Sequence, residues 1–145
     1  MAKLQVTYDG SQHCTALKQP QGKTVAMDCP YSGKGEELSP MNMVGSGLAS
    51  CMLISMGTLA MRDKIDIKGT SVDVEIEHSK KRIESINLVF NMVQAYSKEE
   101  RQKLEHAAGL CPIKSSFHPE TSISVQYKYP ERKIAPLPNT ALHAS

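Results

Sequence analysis

The stretch VGSGLASCMLISMGTLAM, residues 44–61, contains no charged residue and carries a cysteine, Cys51, near its middle. Ser39 is a suitable N-cap before it, and Pro40 is favoured at the first helical position. Arg62 is favoured near a helix C-terminus. The sequence therefore predicts a helix from Pro40 to about Met61, roughly 33 Å long at about 22 residues. This helix decides the fold, because such a long apolar element must be covered.

A membrane span is the first alternative for this stretch. Residues 41–61 carry no charge, but eight of them are Asn, Ser, Gly or Thr, whereas a lone span usually has about 20 predominantly apolar residues. We therefore expect a buried helix of a soluble protein and no membrane partner. The start MAKLQVTYDG lacks the apolar segment of a secretory signal, and four cysteines in a chain long enough to form a core suit a reducing cytoplasm. The expected location is cytoplasmic.

Strands are predicted on both sides of the helix. Three short segments before it are separated by turns and should form antiparallel hairpins: KLQVTY, QHCTALK and KTVAMD. Two further strands follow it, the first with clean alternation: TSVDVEIEHS and RIESINLVFNMVQ. A second helix begins at the capping box of Ser97 and Glu100 and ends at Gly109. A short helix and a last strand, TSISVQYKY, complete the pattern.

The resulting order, βββ-α-ββ-αα-β, predicts the fold class. It is typical of an α+β protein in which an antiparallel sheet is wrapped around a long central helix. We expect one domain over residues 1–129 and an extended, Pro-containing tail over residues 130–145.

The long helix also predicts a dimer. One small sheet can cover only one side of it. Gly47, Cys51 and Ser55 lie on one stripe at helical spacing, and Gly45 and Ala49 lie on another. Small residues allow two helices to approach closely, so the same helix of a second subunit is the expected partner. The alternative is close packing of the helix against strands of its own chain.

Composition excludes several classes of function. The formal net charge is +2, and no Lys/Arg cluster is interleaved with aromatic residues, so nucleic acid is not an expected partner. Cysteines and histidines lack the close paired spacing of metal ligands. The glycine-rich phosphate-binding motifs and the serine hydrolase motif do not occur. We expect neither a metal nor a cofactor.

The cysteines are the remaining candidates for chemistry. Cys51 is either packing material or a reactive thiol, since most buried cysteines are inert. Cys111 precedes Pro112 and is predicted to be the N-cap of the short helix, where the helix dipole favours a thiolate. Lys114 adds a positive charge nearby. A small residue that merely caps the helix is the alternative for Cys111.

Two motifs together resemble one protein family. SPMNMVGSGLASCMLISM resembles the P-x-x-L-(x)n-C helix of the OsmC/Ohr proteins, the osmotically induced and organic-hydroperoxide-resistance family. CPIKSS, residues 111–116, resembles that family's second-cysteine motif, in which Cys-Pro opens a helix about 60 residues later. The resemblance covers about residues 2–129. It implies the OsmC-like fold, an intertwined homodimer with the long helices at its centre, and a thiol peroxidase that uses no metal and no haem.

The resemblance also implies roles for the two cysteines. Cys51 would attack an organic hydroperoxide and become a sulfenic acid, and Cys111 would condense with it to give a disulfide. An external thiol reductant would then reduce that disulfide by exchange.

The family resemblance further implies charged groups that hold the first cysteine as a thiolate. The candidates in this chain are Lys18, Lys23, Glu37 and Lys114. The chain has no arginine before Arg62. A second hypothesis therefore remains open, in which the protein is a non-catalytic OsmC-like dimer that binds an apolar ligand or senses redox state.

Overall fold

The computed structural model describes residues 3–131. Its elements in chain order are β1 (Lys3–Gly10), β2 (His13–Gln19), β3 (Lys23–Asp28), α1 (Pro40–Arg62), β4 (Ser71–His78), β5 (Ile83–Asn91), α2 (Lys98–Gly109), a 3-10 helix (Lys114–Ser116) and β6 (Ser122–Lys128). The α+β class and the order of elements are confirmed, and the short helix after α2 is a single 3-10 turn. Most of the predicted tail, residues 132–145, lies outside the described residues.

The chain divides into two compact units, with the boundary between Gly47 and Leu48 inside α1. Each unit is described by itself below. The prediction of a single domain over residues 1–129 stays a prediction.

The N-terminal unit is built on an antiparallel sheet with the order β1-β2-β3. Its register places Val6, Ala16 and Val25 side by side in one row. On the same face, the β1 side chains Leu4, Val6 and Tyr8 are 69%, 60% and 62% exposed. Within residues 3–131, this sheet therefore presents an exposed apolar face.

Three polar side chains fix the path from this sheet into α1. The buried Asp28 carboxylate accepts hydrogen bonds from the backbone N–H groups of Gly35 and Glu36, at 3.1 and 3.2 Å. At the helix start, the Ser39 hydroxyl accepts from the Asn42 N–H and the Asn42 amide oxygen accepts from the Ser39 N–H, both at 3.0 Å. The predicted N-cap at Ser39 is confirmed, because these reciprocal bonds satisfy N–H groups that lack helical partners.

The C-terminal unit contains a second three-stranded sheet, β4-β5-β6, and the main core. Cross-strand rows of apolar side chains run along one face of this sheet: Val72–Phe90–Tyr127, Val74–Leu88–Val125 and Ile76–Ile86–Ile123. Leu48, Met52 and Met56 of α1, spaced four residues apart and fully buried, belong to the same core. The alternating pattern of β4 thus gives one apolar and one polar face, as predicted.

The strand pairing corrects one prediction. The described strands form two sheets rather than one, and β6 pairs with β5 in parallel rather than antiparallel. The physical reason is the long connection through α2, which returns the chain to the starting end of β5; parallel strands require such a crossover. α2 buries Leu104, Ala107 and Ala108, and its predicted capping box at Ser97 and Glu100 is present.

α1 is the one helix within residues 3–131 that is long and apolar enough to cross a membrane. Its most apolar 18-residue window has a mean hydropathy of 1.5, and 33% of that window is buried inside the chain. The buried face contributes to the core described above. The opposite face, which we call the open face of α1, is exposed and uncharged: Gly47, Ser50, Ile54, Thr58 and Met61.

Candidate functional site

Cys51 lies in the middle of α1, between the buried face and the open face of the helix. Its side chain is half-buried and packs against the core cluster, which includes Cys111. The sequence predicts a buried Cys51 thiol, but in the single chain this side chain is only half-buried. The reason is geometric, because Cys51 follows Gly47 by one turn on a stripe of small residues, and Leu48 and Met52 occupy the core side instead.

Cys111 comes directly after α2 and is fully buried, with 0% of its surface exposed. The buried Leu104 and Ala108 of α2 belong to the same core cluster and hold the end of that helix in place. As a result, the Cys111 thiol lies close enough to the Cys51 thiol to raise its pKa, although 60 residues separate them in sequence. The structure thus brings the two predicted cysteines together, one partly accessible and one buried.

The turn after Cys111 differs from the prediction. The 3-10 helix begins at Lys114 and its N-cap is Ile113, so Cys111 is not a helix N-cap. The Ser116 N–H donates to the Ile113 oxygen at 3.0 Å, and the chain then becomes extended at Phe117. Pro119 excludes a longer helix past His118, because the residue before a proline disfavours helical dihedrals. A helix dipole is therefore not a source of thiolate stabilisation at Cys111.

The backbone of the same turn instead affects the pKa of Cys51. The pKa of Cys51 is raised, first because its thiol is hydrogen-bonded to Cys111 and second because it is partly buried. The Ile113 N–H and the Ser55 hydroxyl act in the opposite direction, since each donates a hydrogen bond that favours the sulfur anion. With its pKa raised above the usual value of about 8.5, the Cys51 thiol is mostly protonated at neutral pH.

The four predicted thiolate stabilisers lie in different parts of the chain. Lys18 and Lys23 face each other across β2 and β3, and Glu37 lies in the exposed loop before α1, all in the N-terminal unit. Lys114 is half-buried at the start of the 3-10 helix. Within the described residues, no lysine or arginine is among the groups that shift the pKa of Cys51. A role for these four residues stays a prediction.

Sequence reasoning did not identify Ser55 and Ile113 as parts of this site. Ser55 could have been found, because the spacing of four residues places its side chain next to Cys51 on one helix face. Ile113 could not, since it contributes a backbone N–H whose direction depends on the fold of the turn.

A third cysteine, Cys29, also has an unusual environment. It follows β3, and its sulfur accepts a hydrogen bond from the Ser32 hydroxyl at 3.3 Å. That bond, together with the backbone N–H groups of Ser32, Tyr31 and Gly33, lowers the pKa of Cys29 to about 7. The tight loop requires a glycine at Gly33, because a Cβ there would lie 2.6 Å from the Cys29 carbonyl oxygen.

This environment predicts that Cys29 is the most reactive thiol toward alkylation near neutral pH. Because the thiolate is the nucleophile, iodoacetamide at about pH 7 should modify Cys29 before Cys51. Ser32→Ala should slow this reaction, since it removes the largest cause of the lowered pKa, whereas Ser46→Ala, an exposed serine on α1, should leave it unchanged. Peptide mass spectrometry over a time course measures the order of labelling. Modification of Cys51 before Cys29 would contradict the assignment.

Metal ligands do not gather at either thiol site. Within residues 3–131, no three His, Cys, Asp or Glu side chains are grouped closely enough to hold a metal ion. On the N-terminal sheet, the Asp9 carboxylate accepts hydrogen bonds from His13 and Thr15 at 2.9 and 2.6 Å.

A comparison with protein families covers the region that contains Cys51 and Cys111. The sequence profile described as "OsmC-like protein" matches residues 33–126, well over half of the chain and both cysteines. The chain belongs to the OsmC-like family. No curated protein matches it significantly.

Solved structures of other proteins share the OsmC-like fold. A Psychrobacter arcticus 273-4 protein, described as an osmotic stress induced and detoxification response protein, is 28% identical with a TM-score of 0.82, covering 88% of this chain and 96% of its own. An OsmC-like protein from Mycoplasma pneumoniae is 17% identical with a TM-score of 0.76, covering 89% and 96%. The organic hydroperoxide resistance protein OhrB of Bacillus subtilis is 18% identical with a TM-score of 0.65, covering 88% and 98%. The predicted OsmC-like fold is confirmed.

Proposed function

We propose that this OsmC-like protein is a thiol-dependent peroxidase that reduces organic hydroperoxides. The observation that carries the proposal is the proximity of Cys51 and Cys111, which pack in one core cluster with the Cys111 thiol close enough to raise the Cys51 pKa. A half-exposed sulfur can meet a peroxide from solvent, and a fully buried sulfur beside it is protected from peroxide and can only react with its neighbour. Cys51 is therefore the attacking thiol and Cys111 the resolving one.

The reaction balances with these two thiols alone. The Cys51 thiolate attacks the terminal oxygen of the hydroperoxide, the O–O bond breaks, and the alkoxide leaves as an alcohol after taking a proton. Cys51 is then a sulfenic acid. The Cys111 sulfur attacks it, a disulfide forms and water leaves, so that two thiols supply the two electrons. An external thiol restores both by exchange, which fits the reducing cytoplasm proposed for this protein.

The apolar surroundings support an organic substrate. Leu110 and Ile113, on either side of Cys111, are 67% and 39% exposed, and a hydroperoxide with an apolar chain gains free energy by covering such surface, about 25 cal/mol per Å². Two of the solved structures that share this fold, from Bacillus subtilis and Legionella pneumophila, are described as organic hydroperoxide resistance proteins. Alkyl hydroperoxides are therefore the proposed substrate class.

The exposed apolar surfaces support a homodimer as the active form. Ile54 and Met61 on the open face of α1 are 69% and 84% exposed, and a side chain at Gly47 would meet nothing within 4 Å. A second α1 could approach closely along this uncharged face. The apolar face of the N-terminal sheet offers additional surface of the kind that subunit contacts bury.

The direct test of the proposal is oxidation of the purified protein by one equivalent of cumene hydroperoxide. We expect a Cys51–Cys111 disulfide in the digested protein, detected by mass spectrometry, and the loss of two free thiols per chain. Cys29→Ser serves as the control and should form the same disulfide, because that thiol is outside the pair. If Cys51 and Cys111 both stay reduced under about millimolar hydroperoxide, the proposed peroxidase function is wrong.

A redox-sensing dimer is the second candidate, and one observation favours it. The raised pKa of Cys51 limits the thiolate at neutral pH and slows attack on peroxide. A sensor would form the disulfide once and remain oxidised, whereas a peroxidase consumes many equivalents of hydroperoxide when a dithiol is supplied. The number of hydroperoxide equivalents that each chain consumes with excess dithiothreitol separates the two functions.

A further inference from the structure

We propose that Cys51 and Cys111 also exchange with small disulfides in the absence of peroxide, with Cys51 as the sulfur that bonds to the external group and Cys111 as the sulfur that expels it. The inference rests on the proposed function, because it uses the same two thiols. It adds a second class of substrate, low-molecular-weight disulfides, and it names the sulfur at which the Cys51–Cys111 disulfide is opened.

The two sulfurs differ in their access to solvent. Cys51 is half-buried, whereas Cys111 has 0% of its surface exposed. Cys111 belongs to the core cluster together with Leu104 and Ala108 of α2 and Leu48 of α1, all buried. Thiol–disulfide exchange requires the attacking sulfur to reach the sulfur that it attacks. A molecule in solvent therefore reaches Cys51, and Cys111 reacts with its neighbour in the core.

The exchange has two steps whose atoms and electrons balance. The Cys51 thiolate attacks one sulfur of a small disulfide, a mixed disulfide forms at Cys51, and the other half of the reagent leaves as a thiolate and takes up a proton. Cys111 then loses its proton and attacks the Cys51 sulfur. The Cys51–Cys111 disulfide forms and the second half of the reagent leaves as a thiol. Two protein thiols are oxidised, and one small disulfide is reduced to two thiols.

Reduction of the Cys51–Cys111 disulfide follows the same path in reverse. A forward exchange and its reversal pass through the same mixed disulfide, so an external thiolate attacks Cys51 and the Cys111 sulfur leaves. The 0% exposure of Cys111 excludes the opposite direction of attack in the folded chain. Cys51 therefore carries the external group in both directions.

Cys29 provides a contrast within the same chain. Its pKa is lowered to about 7, so it also reacts with small disulfides. The groups that lower this pKa are Ser32, Tyr31 and Gly33, none of them a thiol. The mixed disulfide at Cys29 should therefore persist, because a second thiol is needed to expel the external group.

The first test uses dithiodipyridine, a small disulfide whose released thiol absorbs in the ultraviolet. A two-thiol variant carries Cys14→Ser and Cys29→Ser, and each of two single-thiol variants adds Cys51→Ser or Cys111→Ser. The two-thiol variant should release about two equivalents of thiol per chain, the second at a rate independent of reagent concentration. The variant with Cys51 alone should release about one equivalent and keep the adduct. The variant with Cys111 alone should react on the order of 100-fold more slowly, because its buried thiol reacts only after local opening.

The second test locates the external group during reduction. The two-thiol variant is oxidised with dithiodipyridine and treated with glutathione, and free thiols are then blocked with iodoacetamide. Trypsin places Cys51 in the peptide of residues 35–62 and Cys111 in the peptide of residues 104–114. Mass spectrometry should find glutathione on the first peptide and the iodoacetamide label on the second. Because this test replaces neither Cys51 nor Cys111, damage to the fold by those substitutions does not affect it.

Glutathione on the Cys111 peptide would overturn the inference, and so would equal native rates for the two single-thiol variants. Unfolding in guanidinium chloride serves as the control, since both thiols should then react at similar rates. The outcomes also separate this inference from the peroxidase function. If the small disulfide oxidises both thiols through Cys51 but hydroperoxide leaves them reduced, the exchange stands and the peroxidase function fails. If hydroperoxide forms the disulfide but glutathione attaches to Cys111, the peroxidase function stands and the exchange path is wrong.

Discussion

Cys51→Ser is expected to abolish turnover of cumene hydroperoxide with a dithiol reductant, lowering the rate on the order of 10³-fold or more, because the attacking nucleophile is lost. Cys111→Ser should still consume about one equivalent of peroxide per chain, since Cys51 remains half-exposed. The sulfenic acid then has no partner thiol in contact with it. It should be trapped by a dimedone-type probe and convert to sulfinic acid under excess peroxide.

The control for this prediction is Cys29→Ser. Cys29 is the thiol with the pKa lowered to about 7 and could in principle react with peroxide faster than Cys51. Turnover should nevertheless persist without Cys29, because repeated turnover requires the resolving thiol Cys111, which lies near Cys51 in the core. Full activity of Cys51→Ser, or loss of activity in Cys29→Ser, would refute the assigned roles.

Gly47→Leu is expected to break the proposed homodimer. A leucine on the open face of α1 would hold two helices apart, and a symmetric interface contains the substitution twice. Overpacking costs about 1–3 kcal/mol per site, so the dimer dissociation constant should rise on the order of 100-fold or more. Light scattering or sedimentation should give about twice the 15.9 kDa chain mass for the parent protein and the monomer mass for the variant.

Gly109→Leu is the matched control for this substitution. Gly109 is also a helical glycine whose added Cβ would meet nothing within 4 Å, but it lies at the end of α2. That variant should remain dimeric. A dimeric and soluble Gly47→Leu variant would show that Gly47 is outside the interface, and a monomeric parent protein at micromolar concentration would rule out the homodimer itself.

Local features of this fold could be predicted from the sequence because the interactions that form them are local. The caps at Ser39 and Ser97 use partners three residues away, so the helix starts are visible in the sequence. The alternation of Val72, Val74 and Ile76 defines a strand with one apolar face without any knowledge of its partners.

The sequence predictions are wrong where a segment distant in sequence determines the local structure. β6 pairs with β5 in parallel because α2 carries the chain back across the sheet, and strand alternation alone does not distinguish parallel from antiparallel pairing. The Cys-Pro sequence predicts a helix cap at Cys111, but the helix is a single 3-10 turn that starts at Lys114, three residues later.

For the candidate site, the sequence by itself determined the two cysteines, the uncharged helix that carries the first and the family to which their motifs belong. Only the tertiary structure decided that Cys111 is the buried neighbour of Cys51, and that the Cys111 thiol and burial raise the Cys51 pKa while Ile113 and Ser55 act in the opposite direction. The physical reason is that a pKa depends on burial and on donors within a few ångströms. Packing of α2 against the core, rather than any sequence spacing, brings those groups together.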